Sequence, residues 1–470
     1  MRVQIIMLIL AMLVGGNQKA QALPPPPKVA VVQDLFVNPT VKDIQIRFLS
    51  AKNKLVDDKG QPIVGRTHRN FIIGNLKLKP GQAFREDILQ EDLQRLRRLD
   101  VFDRVNVSVA AEEDGAIITY DIKEHHFPEL TFGGGSNGDV GVYVQAGYED
   151  GNINGVGDRF NFTVQPSTKD VIFDTQFLSR PHRAEANSWG YSVRAFRNRD
   201  LSRTFNDDIK LANNSTAREG RVGGSISVLK SVNDWDTAVG INYTRISLRD
   251  RHYNVAKVDR LGNQLSVSGT GIDDLVTVSL AVSRDQRDRR SNPTRGSILT
   301  LSTEQAIPIG LGQISSNRLR GNYIQYVPVS WVGHGKQTEF PEMVAFNVQL
   351  GTIIGDFPPA DAFDLGGNNS VRGYGGGKVG SGRSYGLASV EYRFPIMRSL
   401  GGVVFADFAS DFDSGKTVLG EPGVLRNKPG IGYGYGIGLR AKSPIGQLRG
   451  DLGINDQGNI VFILTTGQRF

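Results

Sequence analysis

The segment best equipped for chemistry runs from Asp361 to Arg383 and contains Gly366-Gly367-Asn368-Asn369-Ser370-Val371-Arg372-Gly373-Tyr374-Gly375-Gly376-Gly377. Glycines at this density let a backbone approach a partner closely, and they surround a single arginine. A phosphate-binding loop fails on spacing: Gly377-Lys378 is followed by Val379, and Arg372 stands where the first glycine belongs. Two readings are left, a flexible external loop or an inward-folded loop whose arginine tip docks on the wall around it. Elsewhere there is no H-E-x-x-H and no paired set of metal ligands. The six histidines are scattered, and His125-His126 reads as a domain junction rather than a metal site. These absences argue against the usual metalloenzyme classes, and no enzyme activity, cofactor or metal is expected.

Such a loop needs a frame, and the sequence from Leu130 to Phe470 describes one. Segments of alternating polarity recur there between glycine- and asparagine-rich turns. Phe160, Phe162 and Val164 alternate with Asn161, Thr163 and Gln165, and Val239, Ile241 and Tyr243 with Gly240, Asn242 and Thr244. The same holds for Val276, Val278 and Leu280, for Phe346, Val348 and Leu350, and for Tyr433, Tyr435, Ile437 and Leu439. A period of two places one set on each face of a strand.

A soluble sandwich shows the same period. Strand length favours a transmembrane barrel, because these runs approach the roughly 9–11 residues that cross a bilayer at a tilt. The polar face carries Asn, Gln, Arg and Thr, which suits a wet lumen. At about 21 residues per strand and loop, the region predicts about 16 antiparallel strands. Unpaired backbone groups are costly in hydrocarbon, so the last strand is expected to pair with the first. The run from Ile460 to Phe470 fits that role, with Phe470 as an aromatic C-terminal barrel signal at the membrane interface.

The N-terminus agrees with an exported chain. Arg2, an apolar run from Ile5 to Val14 and Ala20-Gln21-Ala22 predict a signal peptide over residues 1–22. That run is shorter than the about 20 residues a spanning helix needs. Apolar residues at 39% and charged residues at 22% read as a soluble protein until one allows that a barrel hides its apolar surface in every second residue. There are no cysteines, and the net charge of +7 becomes +5 once Arg2 and Lys19 leave with the leader. That excess is too small and dispersed for nucleic acid. The 56 glycines favour turns and sheet over helix.

Residues 23–40 open on Pro24-Pro25-Pro26-Pro27, a stiff spacer. Residues 41–125 read as one small α+β domain. Ile44, Ile46 and Phe48 alternate as a strand, and Phe71, Ile72, Ile73 and Leu76 suggest a short helix. From Arg85 to Leu99, Leu89, Leu93 and Leu96 recur at helical spacing, with Glu86 and Asp87 first and Arg95, Arg97 and Arg98 last. Val105, Val107 and Val109, then Ile118, Tyr120 and Ile122, give two strands joined at Asp114-Gly115. The order is β-α-α-β-β, in one copy.

Five stretches carry a family resemblance. Val371-Arg372-Gly373-Tyr374 resembles the VRG[FY] signature in the sixth extracellular loop of the BamA/TamA superfamily, the bacterial surface antigen family. Asn152-Ile153-Asn154-Gly155-Val156-Gly157 resembles its N-L-x-G-x-G turn. Arg284-Asp285-Gln286-Arg287-Asp288 with Pro293-Thr294-Arg295-Gly296 resembles its R-D-x-R-D…P-x-R-G element. Phe405-Ala406-Asp407 resembles its F-x-D, and Gly436-Ile437-Gly438-Leu439-Arg440 with Ser443-Pro444-Ile445-Gly446 its late hairpin. The α+β domain is similar to a POTRA unit. Where the family usually has Gly, this chain has Ala409.

The resemblance implies a barrel over residues 130–470 in a bacterial outer membrane, with a single POTRA domain in the periplasm. It implies that Arg372 reaches the lumenal side of the strand bearing Phe405 and Asp407 and pairs with Asp407. Other charged residues, such as Arg287, Asp288 and Arg289, read as solvated turn or lumen residues. Insertion or translocation of proteins without catalysis is the implied function. Clients would add to the edge of the POTRA sheet at Ile117–Ile122, beside the second helix. Outer-membrane lipids, unfolded or secreted client proteins and accessory proteins are the implied partners. A passive solute channel and a secretion transporter dedicated to one partner are the alternatives.

Overall fold

The computed structural model describes residues 30–31, 39–112, 115–137, 141–168, 170–181, 188–205, 210–290, 292–332, 340–418, 428–443 and 446–470. The leader at 1–22, the proline run and Asp114 lie outside these residues.

The α+β domain comprises β1 (Ala30–Val31), β2 (Val41–Phe48), α1 (Arg69–Gly74), α2 (Glu86–Arg98), β3 (Phe102–Glu112) and β4 (Gly115–Glu124). Its sheet has the order β1-β3-β4-β2, with β2 parallel and β3 antiparallel to β4. Ile46, Leu89, Leu96, Ile118, Tyr120 and Ile122 are buried between sheet and helices. The alternating and helical spacings are thus the inward faces of a two-layer domain. Buried Asp92 on α2 accepts the N–H groups of Lys77 and Leu78 at 2.7 and 3.0 Å, which ties the helix to the preceding turn. Burial pushes its carboxyl above the usual range despite those two bonds.

Ile117–Ile122 does not form a free edge. It lies in β4, paired along both sides. The chain after α2 enters β3 and returns through the centre in β4, so the sheet ends on β2 at one side and, beyond β3, on the two residues of β1 at the other. There Ala30 and Val31 pair in parallel with Ser108 and Val109.

The barrel wall begins with β5 (Glu129–Asn137), β6 (Gly141–Asp150), β7 (Arg159–Pro166), β8 (Val171–Ser179), β9 (Trp189–Leu201) and β10 (Arg218–Val232). It continues through β11 (Trp235–Arg249), β12 (Ile272–Asp285), β13 (Gly296–Ile307), β14 (Ser316–Pro328) and β15 (Met343–Gly355). After a long loop holding β16 (Phe363–Leu365) and β17 (Gly380–Gly382) come β18 (Ser384–Met397), β19 (Leu400–Ser410), β20 (Ile431–Ser443), β21 (Gly446–Asn455) and β22 (Ile460–Thr466). Sixteen strands, β5 to β15 and β18 to β22, form one antiparallel sheet in chain order. Val239, Ile241, Tyr243, Tyr433, Tyr435, Ile437 and Leu439 point outward and are exposed, the apolar face a bilayer covers. No helix among the described residues is long and apolar enough to cross a membrane.

Closure differs from expectation. Among the described residues no backbone pairing joins β22 to β5, and the sheet ends on these two strands. Phe470 is not at a membrane interface either. Gly467 takes a φ of +82° and its N–H bonds Gln447 O at 2.8 Å, after which the chain turns into the lumen. Phe470 packs there with Ile298, Ile324, Tyr326, Met343 and Ala345 of β13 to β15.

Candidate functional site: a buried arginine cluster in the lumen

The loop of residues 356–383 folds into the barrel and is held at its base and at its tip. At the base, Asp361 meets Arg221 of β10 at 3.0 Å and Arg318 of β14 at 3.0 Å. Thr204 Oγ1 donates to Pro359 O at 3.1 Å. Val371, Tyr374 and Val379 then pack with Phe363, Tyr385 and Ala409 in an apolar cluster above the wall. Ala409, the position where glycine was expected, is accommodated inside this cluster.

At the tip, Arg372 is fully buried. Its Nε and Nη2 donate to Asp407 Oδ2 and Oδ1 at 2.8 and 3.0 Å, and its backbone N–H donates to the same carboxylate at 3.1 Å. Nη1 donates to Glu391 of β18 at 2.7 Å and to Asp451 of β21 at 3.2 Å. The guanidinium lies 3.4 Å above the Phe405 ring. A planar fork with five N–H groups suits three carboxylates on three strands, which a lysine ammonium cannot match.

Two glycines make this approach feasible. Gly373 has a φ of +95°, and a Cβ there would meet the backbone of Ile454 and Asn455 on β21. On β20, Gly434 faces the lumen, and a Cβ there would overlap the carbonyl oxygen of Arg372. Thus Gly434, with Gly453 of β21 beside it, forms the floor on which the tip rests.

The structure therefore brings Val371, Arg372, Gly373, Tyr374, Phe405 and Asp407 together, and Tyr374 also bonds Asp456. Phe470 joins from another direction. The sequence reading named Asp361 only as a loop boundary and Arg440 only within a motif, and did not single out Glu391, Asp451 or Arg393 as partners in the cluster. Arg393 meets Glu391 at 2.7 Å, Arg440 meets Asp451 at 2.6 Å, and Arg469 meets Asp407 at 2.6 Å. The available signal was a charge on the inward phase of an apolar strand, as in Val390-Glu391-Tyr392. Arg287 and Asp288 behave as turn residues: Arg287 pairs with Asp285 at 2.8 Å, and Asp288 accepts from Thr294.

The cluster ties the loop tip to β18, β19 and β21. Ser384 sits in a G-x-S-x-G spacing, but at the start of a strand, hydrogen-bonded to Thr352 at 2.8 Å, rather than on a strand-to-helix elbow. Among the described residues no group of His, Asp and Glu is arranged to hold a metal ion.

A second polar interface fixes the α+β domain to the barrel. The turn between β6 and β7 packs on residues 66–71. Asn152 Nδ2 donates to Thr67 Oγ1 at 2.9 Å, the His68 N–H donates to Gly155 O at 2.9 Å, and Arg66 meets Asp150 at 2.7 Å. Asp150, Asn152 and Thr67 are buried. Nearby, His125 bridges Asp103 on β3 and Glu129 on β5 at 2.7 and 2.9 Å. Partial burial works against its charged form, but the hydrogen bonds to Glu129 and Asp103 outweigh it and raise the imidazole pKa.

Known proteins share this arrangement. Residues 152–470 match the Omp85 superfamily domain, and residues 62–125 match the POTRA model, a surface antigen variable number repeat. The chain is similar to outer envelope protein 80, chloroplastic, of Arabidopsis thaliana, 27% identical over 427 residues, covering 89% of this chain and 55% of the relative. The protein of the same name from Oryza sativa subsp. japonica is 29% identical, with 89% and 61% covered. The chain thus spans little more than half the length of these curated relatives. Among solved structures, BamA from Haemophilus ducreyi lacking POTRA domains 1-3 matches with a TM-score of 0.52 at 17% identity, covering 91% of this chain and 84% of that one. At that identity the likeness is one of fold.

Proposed function

The chain belongs to the Omp85 superfamily, and from that membership we propose that it inserts or translocates proteins at an outer membrane, without chemical catalysis. The observation that carries this reading is the seam. The facing edges of β22 and β5 are unpaired among the described residues, while Leu130, Phe132, Phe462 and Leu464 beside them are exposed apolar residues. Backbone donors and acceptors at bilayer depth are costly unless paired, so such an edge is stabilised by adding a strand. An extended client supplies that strand through main-chain bonds, with little demand on its sequence.

The docked α+β domain supports the same reading. Its terminal strand β2, which pairs only with β4 among the described residues, offers a second place for strand addition, and the domain is held next to the start of β5 by the contacts of Thr67, Asn152 and His125. A bacterial outer membrane, with this domain in the periplasm, is the proposed setting; the leader-like sequence at residues 1–22 supports it. Lipids of that membrane and unfolded client chains are the proposed partners. The test is reconstitution in vesicles of the whole chain and of the chain lacking residues 39–125, with insertion of an unfolded barrel protein as the readout. The deletion is expected to slow insertion while the barrel stays folded. Equal rates would overturn the receiving role of the domain.

A further inference from the structure

The residues after β22 are bound as a ligand is bound. Gln468 Nε2 donates to Asn292 Oδ1 at 3.1 Å, and Arg393 Nη1 donates to Gln468 Oε1 at 3.3 Å. Arg469 is buried, pairs with Asp407 at 2.6 Å and also donates to the Ser370 carbonyl. The Phe470 ring fills an apolar slot of Ile298, Ile324, Tyr326, Met343 and Ala345, with the Arg393 guanidinium 5.3 Å from its centre. That slot lies five to seven strands along the sheet from β22, so the segment crosses the lumen rather than following the wall.

None of these contacts is a strand pairing. They are side-chain contacts to a surface built by the barrel wall and the inward loop: a carboxylate and a carbonyl for a guanidinium, an apolar slot for a ring, and polar groups for the residue before them. We propose that this surface is a peptide-binding seat for an extended segment carrying a cation followed by an aromatic residue, filled in cis by residues 468–470. Seating and seam pairing are alternatives for the same stretch, because residues turned into the lumen are unavailable to β5. An incoming client segment of the same chemistry would displace the tail; that extension rests on the protein-handling reading, whereas the seat itself does not.

The seat is tested without any client. The probe is a fluorescent pentapeptide of the sequence Thr-Gly-Gln-Arg-Phe, titrated against the whole chain and against the chain lacking residues 468–470, both with folding verified by heat-dependent gel migration. Saturable binding to the shortened chain is expected, weakened about tenfold or more in the whole chain because a tethered tail competes at millimolar effective concentration. A peptide with alanine for arginine should lose binding. If the shortened chain does not fold, the Arg469→Ala/Phe470→Ala chain keeps its length and empties the same contacts. A folded, emptied barrel that does not bind the peptide, or that binds the alanine peptide equally, overturns the seat.

Discussion

Asp407 on β19 is shared by two arginines that lie 97 positions apart: Arg372 at the tip of the inward loop, at 2.8 Å, and Arg469 after the last strand, at 2.6 Å. The carboxylate thereby joins the loop to the end of the chain. Removing one member of a buried ionic set leaves its partners desolvated and unpaired, at a cost of about 3–5 kcal/mol. Arg372→Ala should therefore lower the temperature at which the folded, fast-migrating form disappears on unboiled gels. Arg372→Lys should fall between, since it keeps the charge but not the fork. A variant as heat-resistant as the parent would show that the tip contributes nothing.

Gly434 tests the floor beneath that tip. A methyl at this position would overlap the Arg372 carbonyl. Overpacking of this kind costs about 1–3 kcal/mol, and the loop is the part free to yield. Gly434→Ala is expected to displace the loop and raise single-channel conductance in planar bilayers. Gly74→Ala on α1, where nothing lies near and the backbone is helical, is the control. Equal conductance in the two would mean that the loop does not need this floor.

Much of this was legible in the residues, and what was hidden has a physical cause. Val239, Ile241 and Tyr243 announced an outward face because every strand repeats the same period. The glycine-rich run around Arg372 announced a close approach. The resemblance pointed to Asp407 as its partner, whereas Glu391 and Asp451 come to it from two further strands only through the curl of the sheet. Ile117–Ile122 read as an edge because it is the last strand of its domain, yet the parallel pairing of β2 places it centrally. Phe470 read as lipid-facing because an aromatic end suits an interface. The turn at Gly467 and the pull of Asp407 on Arg469 carry it inward instead.

His125 makes the junction sensitive to pH. Its folded pKa is raised above the ordinary 6.5 through Glu129 and Asp103. A raised cationic group contributes stability that is complete below the unfolded pKa and lost as pH rises through the folded one. Attachment of the α+β domain to β5 should therefore weaken as pH climbs upward from about 6.5. Amide exchange across residues 100–130, measured through that range, should accelerate in the parent. His125→Gln should show no such pH step; a step of equal size in that variant would assign it to another group.

The turn between β6 and β7 should set the orientation of the whole α+β domain. Asn152 is buried and does two things: its Nδ2 donates to Thr67 Oγ1 at 2.9 Å, and its Oδ1 accepts the Gly157 N–H at 2.7 Å. Alanine there removes the donor to the Thr67 hydroxyl, which keeps Glu124 as its acceptor, and leaves the Gly157 N–H without its partner, a loss of about 1–3 kcal/mol. Arg66, which pairs with Asp150 but is partly exposed, contributes less because water screens it. The chain has no cysteine, so spin labels at Lys59→Cys and Asn233→Cys report one distance, across the junction. The parent should give one narrow distribution, Arg66→Ala a slightly wider one, and Asn152→Ala a broad one as the domain swings free. If the Asn152→Ala distribution stayed as narrow as the parent's, the turn would be a neighbour of the domain and not its mount.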